Sequence, residues 1–97
     1  IFSVNGNYID LEELSQLFSS VLEYQIIIRT NPESKIDEIE FLLLLDGNDE
    51  NHQEFLDNLQ APLQAILGHP PIARIVRIEE FEISPTSRKI KKIIDYR

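Results

Sequence analysis

The chain has 97 residues, of which 42% are hydrophobic and 27% charged, with a formal net charge of −8. That is one small globular domain, too short for two cores and too apolar for a disordered tail. The absence of cysteine excludes a disulfide scaffold and a thiolate metal site, and the acidity disfavours nucleic acid, whose binding is driven by Lys and Arg on phosphate.

Ile1-Phe2-Ser3-Val4 reads as a short strand, and Asn5-Gly6-Asn7 as a turn, because Asn and Gly tolerate positive φ. Asp10 is a candidate N-cap with Glu13 three residues on. Leu11, Leu14, Leu17, Phe18, Val21 and Leu22 then recur at helical spacing. Tyr24 to Arg29 is rich in strand formers, and Asn31 to Lys35 is a turn. Ile36 to Leu45 reads as a second strand that enters the sheet centre, so the two form an antiparallel hairpin.

Residues 46–51 read as an exposed acidic loop. A second helix carries Phe55, Leu56, Leu59, Leu63, Ile66 and Leu67 on one face, with Pro62 expected to kink or split it. Gly68 suits the C-terminal cap, and Pro70-Pro71 stops the helix. Ile72 to Ile78 is the next strand, and Ile90 to Ile94 a last short strand or docked tail. The order β-α-β-β-α-β predicts an α+β, ferredoxin-like domain: an antiparallel sheet, two helices on one face and a basic C-terminal extension.

No apolar run approaches the roughly 20 residues of a membrane span, and no signal peptide is visible. A cytoplasmic protein with no membrane partner is expected. The chain opens without Met and contains none, which reads as a domain cut from a longer protein.

Five of the nine basic residues follow Ser84, beside one acidic residue, Asp95. This cationic strip on an anionic body could meet a phosphate or carboxylate that the rest of the surface repels. Lys89 is its leading candidate for chemistry, as a compact charge on a flexible stem. The same strip also fits a solvated, charge-protected edge strand. Gly6 and Asn7 form the second candidate, because a Gly lets a ligand approach the backbone and the turn opens a helix. His52 and His69 stand alone, without ligand partners at metal spacing, so no metal site is expected. Asp46, Asp49 and Glu50 lack calcium-loop spacing and read as a solvated turn; Glu79, Glu80 and Glu82 read as a strand-end charge cluster.

Ile83 to Asp95 resembles the closing motif of adenylate-forming ligases, in particular the phenylacetate–coenzyme A ligase branch: approximately L-P-R-S-E-G-K-A-K-R-V-I-D. Without gaps, Lys89 falls on the catalytic Lys, Lys91 and Lys92 on the K-R pair, and Ile93-Ile94-Asp95 on V-I-D. Tyr24 to Ile28 is similar to that family's Y-Q-I/L-V-V strand, and Phe2 to Glu13 to its strand, Gly turn and acidic helix. Ser84, Pro85 and Arg88 depart from the family's Pro, Arg and Gly.

The resemblance implies the mobile C-terminal lid, spanning 1–97, of an ATP-dependent, AMP-forming acid–thiol ligase. Its partners would be the N-terminal adenylation domain of the same chain and a small carboxylic acid. ATP and Mg would be held with that other domain, and coenzyme A is the expected acceptor. Lys89 would serve acyl-adenylate formation, and Gly6 and Asn7 the acceptor channel. The isolated domain is expected to be inactive. The competing expectation is a stand-alone ferredoxin-like ligand-binding or oligomerisation module without catalysis, and the third is a remnant in which Arg88 blocks the loop.

Overall fold

The first strand does not enter the main sheet. In the computed structural model, which describes residues 2–46 and 52–97, β1 (Phe2–Val4) turns back onto β2 (Asn7–Ile9) as a separate hairpin. Its two-residue turn holds Asn5 at φ 52° and Gly6 at φ 82°, the two left-handed residues that a type I′ turn demands. The sequence pattern ran from turn directly to helix. A three-residue β2 is too short to leave a periodic signal.

Helix α1 (Leu11–Leu17) follows, capped by Asp10, whose carboxylate accepts the Glu12 N–H at 2.9 Å. It ends earlier than the apolar spacing predicts. Phe18 closes it by donating to the Leu14 carbonyl at 2.9 Å, and Ser19-Ser20 have little helix propensity. Leu22 donates to the Leu44 carbonyl at 2.8 Å, so it already extends the ladder of the next strand pair, and its side chain is exposed.

The predicted hairpin forms. β3 (Glu23–Thr30) pairs antiparallel with β4 (Asp37–Leu44), in register from Glu23 opposite Leu44 to Thr30 opposite Asp37. The Asn31 side chain closes the turn by accepting from the N–H groups of Glu33 (2.9 Å) and Ser34 (3.3 Å).

Helix α2 (His52–Leu67) contains Pro62 and is not split by it. Gly68, at φ 81°, terminates it as expected. β5 (Ile72–Ile75) then lies parallel to β4, and β6 (Ile93–Asp95) parallel to β3, giving the order β5-β4-β3-β6. β5 is shorter than predicted, because the chain leaves the sheet into a 3₁₀ turn at Ile78–Glu80. The acidic loop, with Asp49 and Glu50, lies outside the described residues except for Asp46.

The domain is therefore the expected ferredoxin-like α+β unit with two helices, but its sheet is mixed. The central pair is antiparallel and the outer strands are parallel to their neighbours. The reason is a crossover: α2 carries the chain back to the start of β4, so the next strand runs the same way.

The two faces of the sheet are covered differently. Ile26, Ile28, Ile39, Phe41 and Leu43 meet Leu14 and Phe18 of the α1 region and Leu59, Leu63 and Leu67 of α2, together with Val4 and Ile9 of the hairpin. On the opposite face Ile27 and Leu42 pack against Val76 and Phe81, with Ile90 alongside. The segment between β5 and β6 thus roofs the face that the helices leave bare.

Candidate functional site

Lys89 stands on a loop with a closed stem. Ile83 and Ile90 form an isolated antiparallel bridge. Within it the Ser84 N–H donates to the Lys89 carbonyl and the Arg88 N–H to the Ser84 carbonyl, both at 2.9 Å. The Lys89 side chain is exposed and, among the described residues, makes no ion pair. Arg88, at the position of the resembled family's Gly, has φ 57°. The backbone keeps the left-handed bend for which a glycine is best suited, and the arginine bears its steric cost.

The neighbouring cation behaves differently. Lys92 pairs with Glu23 and lies 4.4 Å from the centre of the Tyr24 ring, and burial pushes its pKa below the ordinary lysine value. Lys92 is thereby bound to the sheet, whereas Lys89 is not.

Gly6 and Asn7 lie elsewhere. A Cβ on Gly6 would meet nothing within 4 Å, so its backbone is open to close approach. Asn7 has structural work: its amide donates to the Leu67 carbonyl at 3.1 Å and caps the end of α2. Asn5 grips β4 at both ends of its amide, accepting the Asp37 N–H at 2.7 Å and donating to the Asp37 carbonyl at 2.8 Å.

That places the two candidate loops far apart. The hairpin turn is fixed at Asp37, opposite Thr30, on the helix-covered face. The Lys89 stem is fixed near Gln25, on the other face. Five residues of strand, about 17 Å, separate these anchor points.

An ionic cluster surrounds the hairpin anchor. Arg97 donates to Asp37 (2.9 Å), to both Asp95 oxygens (2.9 and 2.8 Å) and to the Ser3 carbonyl (2.6 Å). The Thr30 hydroxyl, donating at 2.8 Å, and then Arg97 hold the Asp37 carboxyl below the usual range. Hydrogen bonds from Arg97 lower Asp95 to about 2, and Arg97 is raised in turn, first by Asp95 and then by Asp37. Just past the same end of β6, Tyr96 donates to Glu82, which raises the phenol's pKa, and the Arg29 guanidinium lies 5.0 Å from its ring centre. Glu79 and Glu80, read from sequence as a charge cluster, are ion-paired to Arg77 and Arg74, and the Glu80 carboxylate also accepts the Arg77 N–H at 2.6 Å.

A groove of about 540 Å³ opens beside the hairpin, lined by Asn5, Asn7, Ile36, Gly68, His69 and Ile72 among others. His69 lines it together with Asp37 and Glu38, and its Nδ1 lies 3.2 Å from the Pro70 carbonyl. Among the described residues no three carboxylate, His or Cys side chains gather as a metal site.

Sequence reasoning missed two arrangements. One is the Arg97–Asp37–Asn5 junction, which joins residues remote in the chain and leaves no local signal. The other is Gln25, wholly buried in an isoleucine strand. It had a signal: a lone polar side chain at a core position must find partners.

No protein-family model matches the chain, and no curated protein is similar to it in sequence. Among solved structures it is similar to a domain of phenylacetate-coenzyme A ligase from Bacteroides vulgatus ATCC 8482. The TM-score is 0.73 at 14% identity, over 99% of this chain and 92% of that one. The chain has the fold of that ligase domain. Among the described residues, no helix is long and apolar enough to cross a membrane.

Proposed function

We propose that the chain is the C-terminal lid of an ATP-dependent, AMP-forming acid–thiol ligase, with Lys89 as its electrostatic catalyst. The observation that carries this reading is the exposed ammonium of Lys89, without an ion pair among the described residues, on a loop that keeps the left-handed bend at Arg88. The shared fold with a domain of a coenzyme A ligase supports it.

The residues at that loop fit an anionic partner, since Arg88 and Lys89 are both exposed there. ATP and Mg would be held by the other domain, where the nucleotide supplies the activated phosphate. Lys89 would bring three donors and one charge to the oxygens between carboxylate and α-phosphate, where negative charge grows. Among the described residues it makes no ion pair that would have to break first. Lys92 could not substitute, because Glu23 and Tyr24 already hold it.

Gly6 would offer its open backbone to the acceptor, with coenzyme A the expected thiol. Asn7 would support that turn chiefly by fixing it to α2. The two loops are anchored on opposite faces of the sheet, which supports a turn of the domain between the two steps.

The test is Lys89→Ala in the intact ligase that contains this chain. Acid-dependent pyrophosphate exchange is expected to fall by about two to three powers of ten. Thioester formation from supplied acyl-adenylate should suffer less. Exchange at the wild-type rate refutes the role of Lys89.

A further inference from the structure

Gln25 lies in the middle strand pair, fully buried at 0% exposure, directly opposite Leu42. Its Nε2 donates to the Glu82 carbonyl (2.9 Å) and to the Lys91 carbonyl (3.0 Å), and its Oε1 accepts the Glu82 N–H (3.0 Å). Both amide protons and the oxygen are therefore used. The two residues they hold stand immediately outside the Ile83–Ile90 bridge, one on each side of the loop that presents Lys89.

We propose that Gln25 is a positioning residue for Lys89, a buried amide clamp that fixes both ends of its loop to β3. The proposal rests on the lid reading for its catalytic meaning, although the clamp itself does not. Phe81 and Ile90 seat the same stem in the apolar cluster on this face. Apolar contacts are non-directional and allow the stem to slide. Three hydrogen bonds to backbone atoms do not, because each has a narrow range of angle and distance. Only a neutral group with two donors and an acceptor satisfies this set. A carboxylate would face two carbonyl oxygens, and a leucine would leave three backbone groups unpaired. Beyond the stem the tip is exposed from Pro85 to Lys89, so the ammonium can reach outwards from a fixed base.

The experiment has two arms. In the first, amide hydrogen exchange of the chain is followed by NMR. In the wild type the Gln25 side-chain NH₂ is expected to exchange far more slowly than a free amide. Gln25→Leu is expected to speed exchange at the Ser84 and Arg88 N–H groups about tenfold or more, while Ile28 and Ile39 keep their protection. Free-amide exchange at Gln25, unchanged Ser84 and Arg88, or a uniform rise over the whole sheet each overturns the clamp. If Gln25→Leu fails to fold, the wild-type side-chain measurement and Gln25→Glu decide in its place.

In the second arm, Gln25→Leu is placed in the ligase. The rate of adenylate formation is expected to fall with the KM for the acid unchanged, and to fall no further in a Lys89→Ala background. A full additional loss in that background overturns the positioning role. Lys89→Ala without any loss defeats the lid reading alone and leaves the exchange result standing.

Discussion

Arg97 donates to Asp37 at 2.9 Å and so ties the last residue of the chain to the first residue of β4. The pair is part of a network, since Asp95, Thr30, Asn5 and the Ser3 carbonyl all join it. Isolated surface pairs contribute little, but this one holds a planar guanidinium by several bonds at once. Arg97→Ala is expected to lower Tm by about 4 °C. Exchange should speed up first at β1, β2 and β6. Calorimetry and amide exchange check this.

Acid should act through the same cluster. Asp95 titrates near 2 in the folded chain against the ordinary 3.8, and Asp37 is lowered too. The unfolded chain therefore takes up these protons first as pH falls. Their contribution is complete above about pH 4 and is lost between there and about pH 2. Urea denaturation across that window should show a steeper fall for the wild type than for Asp95→Asn.

Arg88 offers a test of backbone strain. At φ 57° a glycine removes the side-chain clash but adds freedom to the unfolded chain. Arg88→Gly is expected to be stabilising by about 0.5 kcal/mol. Arg88→Val should be clearly destabilising and should release the Arg88 N–H to exchange. Thermal denaturation of both variants decides.

Gly68 is constrained twice. Its φ is 81°, and an added Cβ would lie 3.0 Å from Asn7 Nδ2. Gly68→Ala is expected to cost about 1–2 kcal/mol. Adding Asn7→Ala removes the crowding but not the φ penalty, so the double variant should lose less than the sum of the singles. A double-mutant cycle by chemical denaturation measures the difference.

The fold was legible where local rules suffice. Tyr24 to Ile28 announced a strand, Asp10 a cap, and Gly68 a helix end, because each signal depends on neighbours within a few residues. Strand partners were not legible. Nothing near Ile93 states that it pairs with Ile26, and nothing in Phe2–Val4 states that it avoids the sheet. The candidate loops were found in the sequence as residues, not as places. That Gly6 and Lys89 occupy different faces depends on the crossover of α2 and on the long return from β5 to β6. Gln25 could have been singled out by its polarity alone, but its partners at Glu82 and Lys91 lie 57 and 66 positions away.

The bond from Arg97 to the Ser3 carbonyl brings residues 3 and 97 to a single corner. A neighbour fused at either terminus would leave from that corner and swing about almost the same pivot. Circular permutation is therefore open to this domain: a short linker could join the old ends, and new ones could be cut at the exposed turn around Ser34, without disturbing either loop.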